Sequence, residues 1–204
     1  MRRMNVLLRD VPFTPEHDAP WTGVDGGVKG LLGAGIKVEK AYGDFDSVTP
    51  DDIELFRQSL ALDIVPSAKN FTDSELALLS LAELGYTAID VYGALGGRKD
   101  HELMNIQLLA HEKLRTLDIR LLNETNEITL LTAGEHMIEA DGTKKYVSFI
   151  PLHDQTQVSL KGFKYDIEDT YLYIGKTLTV SNEFEKPSVT VRTDKDILMI
   201  KSTD

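Results

Sequence analysis

The sequence predicts two domains, an α/β domain with a mostly parallel sheet flanked by helices and then an all-β sandwich. The first half of the 204-residue chain alternates short β-branched runs with helical patterns, which is typical of parallel sheets. After Glu124 the helical period disappears, and short alternating segments follow, separated by turn residues. We therefore expect an α/β domain over residues 1–122 and a β-sandwich over residues 123–204.

The helices of the first domain begin at recognisable start signals. Thr49–Asp52 (TPDD) combines an N-cap, a proline in the first turn and two acids, and Thr72–Glu75 (TDSE) fits a capping box. A third helix is predicted from His101 to His111. The expected sheet is Rossmann-like, and its predicted strands are Asn5–Leu8, Thr22–Val24, Lys40–Tyr42, Leu62–Val65, Ala88–Tyr92 and Ile119–Leu122.

The composition excludes several classes of function. A formal net charge of −11 argues against a nucleic-acid or anionic-membrane surface, because either would need a basic patch. The chain has no cysteine, which excludes disulfides, thiolate metal ligands and cysteine nucleophiles. No apolar run approaches the ~20 residues that span a bilayer. Arg9 and Asp10 end the first apolar run too early for a secretory signal. We expect a cytoplasmic protein.

Five aspartates stand where a predicted strand gives way to a loop or helix, the edge at which open α/β sheets bind ligands. Asp44 and Asp46 lie two residues apart, so in an extended chain both carboxylates point to one side. Such a pair suits Mg²⁺, although a solvated turn would explain it about as well. Asp73 lies in the first turn of its helix, where capping alone would also account for it. The five are Asp25, Asp44, Asp46, Asp73 and Asp100.

A glycine-rich loop and two basic residues accompany these acids. Gly93–Arg98 (GALGGR) follows a predicted strand and precedes a helix, the position of a phosphate-binding loop. Gly96 and Gly97 belong to this loop, and Arg98 can contact two phosphate oxygens at once. Lys69, on the approach to the next helix, could also reach a phosphate. The whole set indicates a magnesium–polyphosphate site.

A second interpretation comes from the segment Asp44–Val48. Its sequence, DFDSV, matches the D-x-D-x-[TV] pattern of haloacid-dehalogenase-type phosphotransferases, in which the first aspartate is a nucleophile. Those enzymes usually place a strongly apolar strand before the motif, whereas KAYG precedes it here. A phosphatase or phosphotransferase with Asp44 as nucleophile therefore ranks second.

Taken together and in order, the motifs resemble thiamine pyrophosphokinases, which make thiamine diphosphate from thiamine and ATP. The resemblance extends over nearly the whole chain from Trp21 onward. It rests on GDFDS, KNFTDSE and GGRKDHELMNI, and on KYVSFIPL, LKGFKYDI and SNEF in the β half. The chain departs from the family at two places. VLLRDVPFTP replaces a glycine-rich turn after the first strand, and Asn70 stands where aspartate is common.

The resemblance implies a nucleotide-binding α/β domain, a β-sandwich, and a homodimer in which thiamine lies between the first domain of one subunit and the β domain of the other. By motif match, Ser181 and Asn182 would contact the aminopyrimidine ring of thiamine. In the implied reaction the thiamine hydroxyl attacks the β-phosphorus of ATP, and AMP leaves. A non-catalytic sensor of thiamine or nucleotide is a third interpretation, which the crowded carboxylates disfavour.

We assign roles to the site residues on the basis of this resemblance. The metal ligands would be Asp44, Asp46 and Asp73. Asp100 would bind the metal or polarise the thiamine hydroxyl. The residues that would bind ATP and its phosphates are Asp25, Lys69, Gly96, Gly97 and Arg98.

Overall fold

The structure is a computed structural model that describes residues 1–43, 64–65, 70–140 and 142–204. The chain forms two compact units, Met1–Glu124 and Thr125–Asp204. The predicted boundary, after residue 122, lies at the end of the strand Asp118–Leu122 and two residues before this division. The predicted domain bounds stay a prediction. The separate role assigned to each domain stays a prediction.

The first unit is a parallel sheet with helices in its connections. Each pairing between its strands is parallel, and the order across the sheet is β6-β5-β1-β2-β3-β4. The predicted alternation of strands and helices is therefore confirmed. The elements are β1 (Arg3–Leu7), β2 (Trp21–Val24), α1 (Gly26–Gly33), β3 (Val38–Tyr42), β4 (Ile64–Val65), α2 (Asp73–Glu83), β5 (Ala88–Tyr92), α3 (Lys99–Leu108) and β6 (Asp118–Leu122).

The order of strands reverses at β1. Strands β2, β3 and β4 extend to one side of it, and β5 and β6 lie on the other. In open α/β sheets, the crevice beyond the carboxyl ends of the strands at such a reversal is where ligands bind. The segments that leave β1, β2 and β5 therefore meet at one edge of the sheet.

The predicted elements agree with the observed ones in type and differ mainly at their ends. The predicted strand Ala88–Tyr92 has the observed bounds, whereas α3 begins at Lys99 and ends at Leu108 rather than running from His101 to His111. Thr72 caps α2, because its Oγ1 accepts a hydrogen bond of 3.2 Å from the backbone N–H of Glu75. The helix predicted from Thr49 lies outside the described residues.

Helix α1 packs directly on the end of β1. Its buried side chains Val28 and Leu31 belong to an apolar cluster with Leu7, Trp21 and other residues, and burying a side chain of this size stabilises the fold by ~1.5–3 kcal/mol. The close approach requires a glycine in the first turn of α1. A Cβ on Gly27 would lie 1.9 Å from the carbonyl oxygen of Leu7.

A fully buried aspartate lies in the middle of β5. The Oδ1 atom of Asp90 accepts hydrogen bonds from Arg3 Nη1 at 2.6 Å and Arg120 Nε at 2.8 Å. Its Oδ2 lies 2.9 Å from His17 Nδ1. These contacts join β1, β5, β6 and the loop before β2, so this carboxylate belongs to the framework of the unit.

The second unit consists of two antiparallel sheets, with strand orders β12-β9-β14-β7 and β11-β10-β13-β8. Side chains from both sheets form one apolar core, in which the rings of Phe149 and Phe163 meet edge to face at 5.5 Å. The predicted all-β character is confirmed. The strands are β7 (Asn126–Leu131), β8 (Gly134–Glu139), β9 (Tyr146–Pro151), β10 (Thr156–Lys161), β11 (Ile167–Leu172), β12 (Asn182–Glu183), β13 (Ser188–Thr193) and β14 (Ile197–Ser202).

None of the helices in the described ranges combines the length and apolar character that a bilayer-spanning helix needs.

Candidate active site

A cavity of about 530 Å³ opens in the first unit at the edge where the strand order reverses. Its walls are the segments that follow β1, β2 and β5, together with the first turn of α2. Three carboxylates and two guanidinium groups lie among the lining residues, so the cavity is strongly charged. The predicted site residues that line it are Asp25, Asp73, Gly96 and Arg98.

Three predicted site residues, Asp44, Asp46 and Lys69, lie outside the described residues. Gly43, the last described residue before Asp44, lies against the carboxylate of Asp25. A Cβ on Gly43 would be 2.0 Å from Asp25 Oδ1. The backbone of Gly43 also has a φ of 129°, a value that favours glycine. The end of β3 therefore requires glycine beside Asp25.

Asp25 adopts a strained backbone conformation at the start of α1. Its φ is 46° and its ψ is −122°, a combination that non-glycine residues rarely adopt. Its backbone N–H donates to the carbonyl oxygen of Tyr42 at 2.9 Å, which ties the turn after β2 to the end of β3. Strain of this kind costs ~1–3 kcal/mol and clusters at functional sites. The geometry therefore supports a functional role for Asp25 in the cavity.

Among the described acids, the surroundings of Asp73 are the most informative about function. Its Oδ1 is buried and has no hydrogen-bond partner among the described residues. Thr72, and not Asp73, caps the helix. An unsatisfied buried polar group costs ~1–3 kcal/mol, and more when it is charged. A cation bound in the cavity would offset that cost.

The chemistry of these oxygen donors fits Mg²⁺. The ion prefers carboxylate oxygens and water, and proteins commonly hold it with one or two carboxylates plus the phosphates of a substrate. Within the described ranges, no group of three or more His, Asp or Glu side chains could hold a metal ion. Asp73 would therefore need further oxygen ligands, which Asp44, Asp46 and the phosphates of a substrate could supply.

The glycine loop between β5 and α3 has three residues in left-handed conformations. The φ angles of Gly93, Gly96 and Gly97 are 76°, 83° and 77°, which explains the need for glycine at these positions. The side chain of Arg9, which follows β1, fixes the loop. Its Nε donates to Gly93 O at 2.7 Å, and its Nη2 donates to Leu95 O at 2.6 Å.

Arg98 and Asp100 form an exposed ion pair at the start of α3. Nε and Nη2 of Arg98 contact the two carboxylate oxygens of Asp100 at 3.1 and 2.6 Å. The hydrogen bond from Arg98 lowers the pKa of Asp100 to about 2, and the same bond raises the pKa of Arg98. Asp100 is therefore a poor proton acceptor at neutral pH. A role as a metal ligand or electrostatic group remains compatible with this pair.

Asn105 connects the glycine loop to the start of α2. Its Nδ2 donates to Ala94 O at 3.1 Å, and its Oδ1 accepts from Ser74 Oγ at 2.9 Å. Asn105 and Ser74 both line the cavity. The residue after Asp73 is thereby held in a fixed position relative to the loop.

Ser181 and Asn182 lie in the second unit at the start of β12. Ser181 has a φ of 59° and donates its backbone N–H to Ser148 Oγ at 2.9 Å. Asn182 is only 3% exposed. Its Oδ1 accepts from Tyr165 N at 3.0 Å and its Nδ2 donates to Tyr165 O at 2.9 Å. The amide of Asn182 therefore holds the backbone at Tyr165, and its contact with thiamine stays a prediction.

Sequence reasoning missed Arg9, Asp10 and Asn105 as lining residues. The signal for the first two was available, because two adjacent charged residues follow an apolar strand directly. Asn105 lies within the GGRKDHELMNI segment but carries no spacing signal of its own. Its role depends on how α3 packs beside α2.

Comparison with known proteins agrees with this geometry. Two family models match in succession: the thiamin pyrophosphokinase catalytic domain over residues 16–121, and the thiamin pyrophosphokinase vitamin B1 binding domain over residues 135–198. The thiamine pyrophosphokinase of Bacillus subtilis is 40% identical over 195 residues, which are 94% of this chain and 91% of that protein.

Solved structures with the same fold include two bacterial enzymes. The crystal structure of thiamine pyrophosphokinase from Bacillus subtilis has a TM-score of 0.90 and 37% identity, and all of both chains is covered. The crystal structure of thiamin pyrophosphokinase from Geobacillus thermodenitrificans has a TM-score of 0.87 and 34% identity, over 100% of this chain and 98% of that one. This chain belongs to the thiamin pyrophosphokinase family.

Proposed function

We propose that this chain transfers the pyrophosphoryl group of ATP to the hydroxyl of thiamine, giving thiamine diphosphate and AMP. The observation that carries the proposal is the buried Oδ1 of Asp73, which has no hydrogen-bond partner among the described residues, at a cavity that is also lined by a glycine loop and two arginines. A carboxylate left open in this way suits a cation, and the loop and arginines suit the polyphosphate that accompanies it.

The reaction requires the thiamine hydroxyl and the departing AMP oxygen to lie in line with the β-phosphorus. Catalysis of such a transfer depends mainly on positioning and on neutralising the charge of the phosphate oxygens. Bound Mg²⁺ would supply much of that neutralisation, and Asp44, Asp46 and Asp73 are the residues that we assign to hold it. Asp100 would act as a ligand or as an electrostatic group.

The nucleotide would lie at the edge where the strand order of a Rossmann-like sheet reverses. The N–H groups at Gly96 and Gly97 and the side chains of Lys69 and Arg98 are suited to the triphosphate. Because Arg98 is already paired with Asp100, a phosphate would compete with that carboxylate for the guanidinium. Asp25, beside the end of β3, would serve the nucleotide or the metal.

Thiamine would be bound by the second unit, through Ser181 and Asn182. Both residues lie within the part of the chain that matches the vitamin B1 binding domain. We further propose a cytoplasmic homodimer in which the thiamine site lies between subunits. A change of Ser181 to a bulkier side chain should then raise the KM for thiamine and leave the KM for ATP unchanged.

The direct test is to incubate the protein with ATP, Mg²⁺ and thiamine and to quantify all products. The proposal predicts AMP and thiamine diphosphate in equal amounts, with no AMP when thiamine is omitted. ADP with thiamine monophosphate would contradict it, as would AMP released without thiamine. A phospho-aspartyl intermediate at Asp44 would instead support the phosphotransferase. Binding without any product would support the sensor.

A further inference from the structure

Arg9 places a positive charge in the cavity and holds it in a fixed pose. Its side chain is half-buried and lines the cavity, and two of its three nitrogens are bound to the carbonyls of Gly93 and Leu95. A guanidinium held by two hydrogen bonds has lost most of its rotamer freedom. A ligand that contacts it therefore does not have to supply that ordering.

The third nitrogen of Arg9 remains available. Within the described parts of the chain, Nη1 makes no hydrogen bond, and no carboxylate forms an ion pair with this guanidinium. Carbonyl oxygens satisfy its hydrogen bonds but do not neutralise its charge. A half-buried cation without a counter-ion is unfavourable unless an anion binds beside it.

Arg98 provides the contrast within the same cavity. It is exposed, and both of its bound nitrogens contact Asp100, so its charge is already neutralised. A polyphosphate that enters the cavity would bind Arg9 without displacing a carboxylate from it, whereas at Arg98 it would compete with Asp100.

Gly97 fits Arg9 closely. A Cβ on Gly97 would lie 2.5 Å from Arg9 Nη1, whereas a Cβ on Gly96 would lie 3.8 Å from the nearest Arg9 atom, Nη2. Both glycines have positive φ angles, 77° and 83°. The absence of a side chain at Gly97 therefore leaves the space that Nη1 occupies.

We propose that Arg9 is a phosphate-binding residue that contacts the polyphosphate of the nucleotide through Nη1, while Nε and Nη2 anchor it to the glycine loop. The proposal rests on the proposed function only in taking a nucleotide polyphosphate as the ligand. It goes beyond that function in assigning a phosphate-binding cation of the cavity to the segment after β1.

The test is to measure the binding of ATP, inorganic tripolyphosphate and adenosine to the wild-type protein and to Arg9→Gln, each in the presence of Mg²⁺. We expect Arg9→Gln to weaken ATP and tripolyphosphate by ~10- to 100-fold, the range for losing a charge-assisted hydrogen bond. Adenosine binding should be unchanged. The affinities of Arg9→Lys for ATP and tripolyphosphate should lie between those of the wild type and of Arg9→Gln, because lysine keeps the charge and loses the planar fork.

Arg2→Gln is a matched control. Arg2 also donates to a loop carbonyl, Leu84 O at 2.6 Å, but it does not line the cavity. The control changes the net charge by the same amount and should leave the binding of all three ligands unchanged. If Arg2→Gln weakened tripolyphosphate as much as Arg9→Gln does, the effect would be one of overall charge and the proposal would be wrong.

A second pair of variants addresses Arg9 without removing it. Gly96→Ala and Gly97→Ala carry similar backbone strain, but only Gly97→Ala displaces Nη1. We expect Gly97→Ala to weaken tripolyphosphate more than Gly96→Ala, and this difference should disappear when Arg9 is also changed to Gln. The comparison of the two single alanine variants keeps the proposal testable if Arg9→Gln does not fold, and equal tripolyphosphate binding by the two would then contradict it.

Two outcomes would overturn the assignment of Arg9. One is an Arg9→Gln variant that binds tripolyphosphate as well as the wild type. The other is an equal loss for adenosine and ATP, which would mean that Arg9 only holds the loop. The proposed function fails separately, if the wild type binds ATP in an Arg9-dependent way and makes no AMP with thiamine.

Discussion

The carboxylates of Asp90 and Asp73 both have buried oxygens in the parallel-sheet unit, yet their surroundings are opposite. Asp90 is contacted by two arginines and a histidine within 2.9 Å. Oδ1 of Asp73 has no hydrogen-bond partner in the described part of the chain. The difference separates an acid whose counter-ions belong to the described fold from one whose buried oxygen has no partner among the described residues and therefore suits a cation from solution.

The positions of the two residues explain this difference. Asp90 lies in the middle of β5, and the register of the sheet pairs it with Asn5 of β1 and Arg120 of β6. Asp73 begins α2 at the edge where the strand order reverses. A sheet interior can provide partners from neighbouring strands, whereas the edge of the sheet opens to a ligand.

The largest effect is expected for Asp90→Asn. Removing one partner of a buried ion pair costs ~3–5 kcal/mol in the free energy of unfolding, because Arg3 and Arg120 would each lose a charged acceptor. Turnover at a temperature at which the variant is folded should stay close to that of the wild type. Urea denaturation and a product assay would check the two halves of this prediction. A stable variant with lost turnover would contradict the comparison.

The second effect is expected for Asp73→Asn. Turnover should fall by at least ~100-fold, the scale on which electrostatic catalytic groups act. Stability should change little, because the lost helix-dipole interaction of ~0.3–1 kcal/mol is opposed by relief of the unpartnered buried charge. Steady-state kinetics and thermal denaturation of the same preparation measure both. If Asp73→Asn unfolded the protein instead of inactivating it, Asp73 would have the structural role that we assign to Asp90.

A smaller effect is expected for Thr72→Ala. Thr72 caps α2, and the loss of an N-cap costs ~1 kcal/mol of stability. The metal-binding role assigned to Asp73 predicts that this variant keeps most of its turnover. Chemical denaturation measures the stability of this variant, and the product assay measures its turnover. If instead Asp73→Ala costs the stability expected of a cap and Thr72→Ala costs nothing, the assignment of the two residues is reversed.

The smallest effect concerns Asp100, an exposed acid that is paired with Arg98. Its pKa is lowered from 3.8 to about 2 by the hydrogen bond from Arg98. The stability that it contributes is therefore present above pH 3.8 and is lost as the pH falls towards 2. Carboxyl NMR titration should show the low pKa, and Arg98→Gln should raise it. An ordinary pKa in the wild type would show that the pair does not form in solution.

The sequence was informative where the cause is local. Thr72 was predicted as a cap from the residues that follow it, and the β5 strand from its apolar run. The Asp90 network could not be predicted, because it depends on the register of three strands that are far apart in the chain. Arg9 was missed for a related reason, since its partners lie on the loop after β5. The lack of a described hydrogen-bond partner for Oδ1 of Asp73 could not be predicted either, because it depends on which residues surround this atom in the folded cavity.

The most direct test of the central claim is the Mg²⁺ dependence of ATP binding, measured by calorimetry for the wild type, Asp73→Asn and Asp90→Asn. We predict that Mg²⁺ strengthens ATP binding to the wild type and to folded Asp90→Asn, and that Asp73→Asn loses this increment. An Asp73→Asn variant that retains the full increment would contradict the claim that the buried oxygen of Asp73 is left open for a cation.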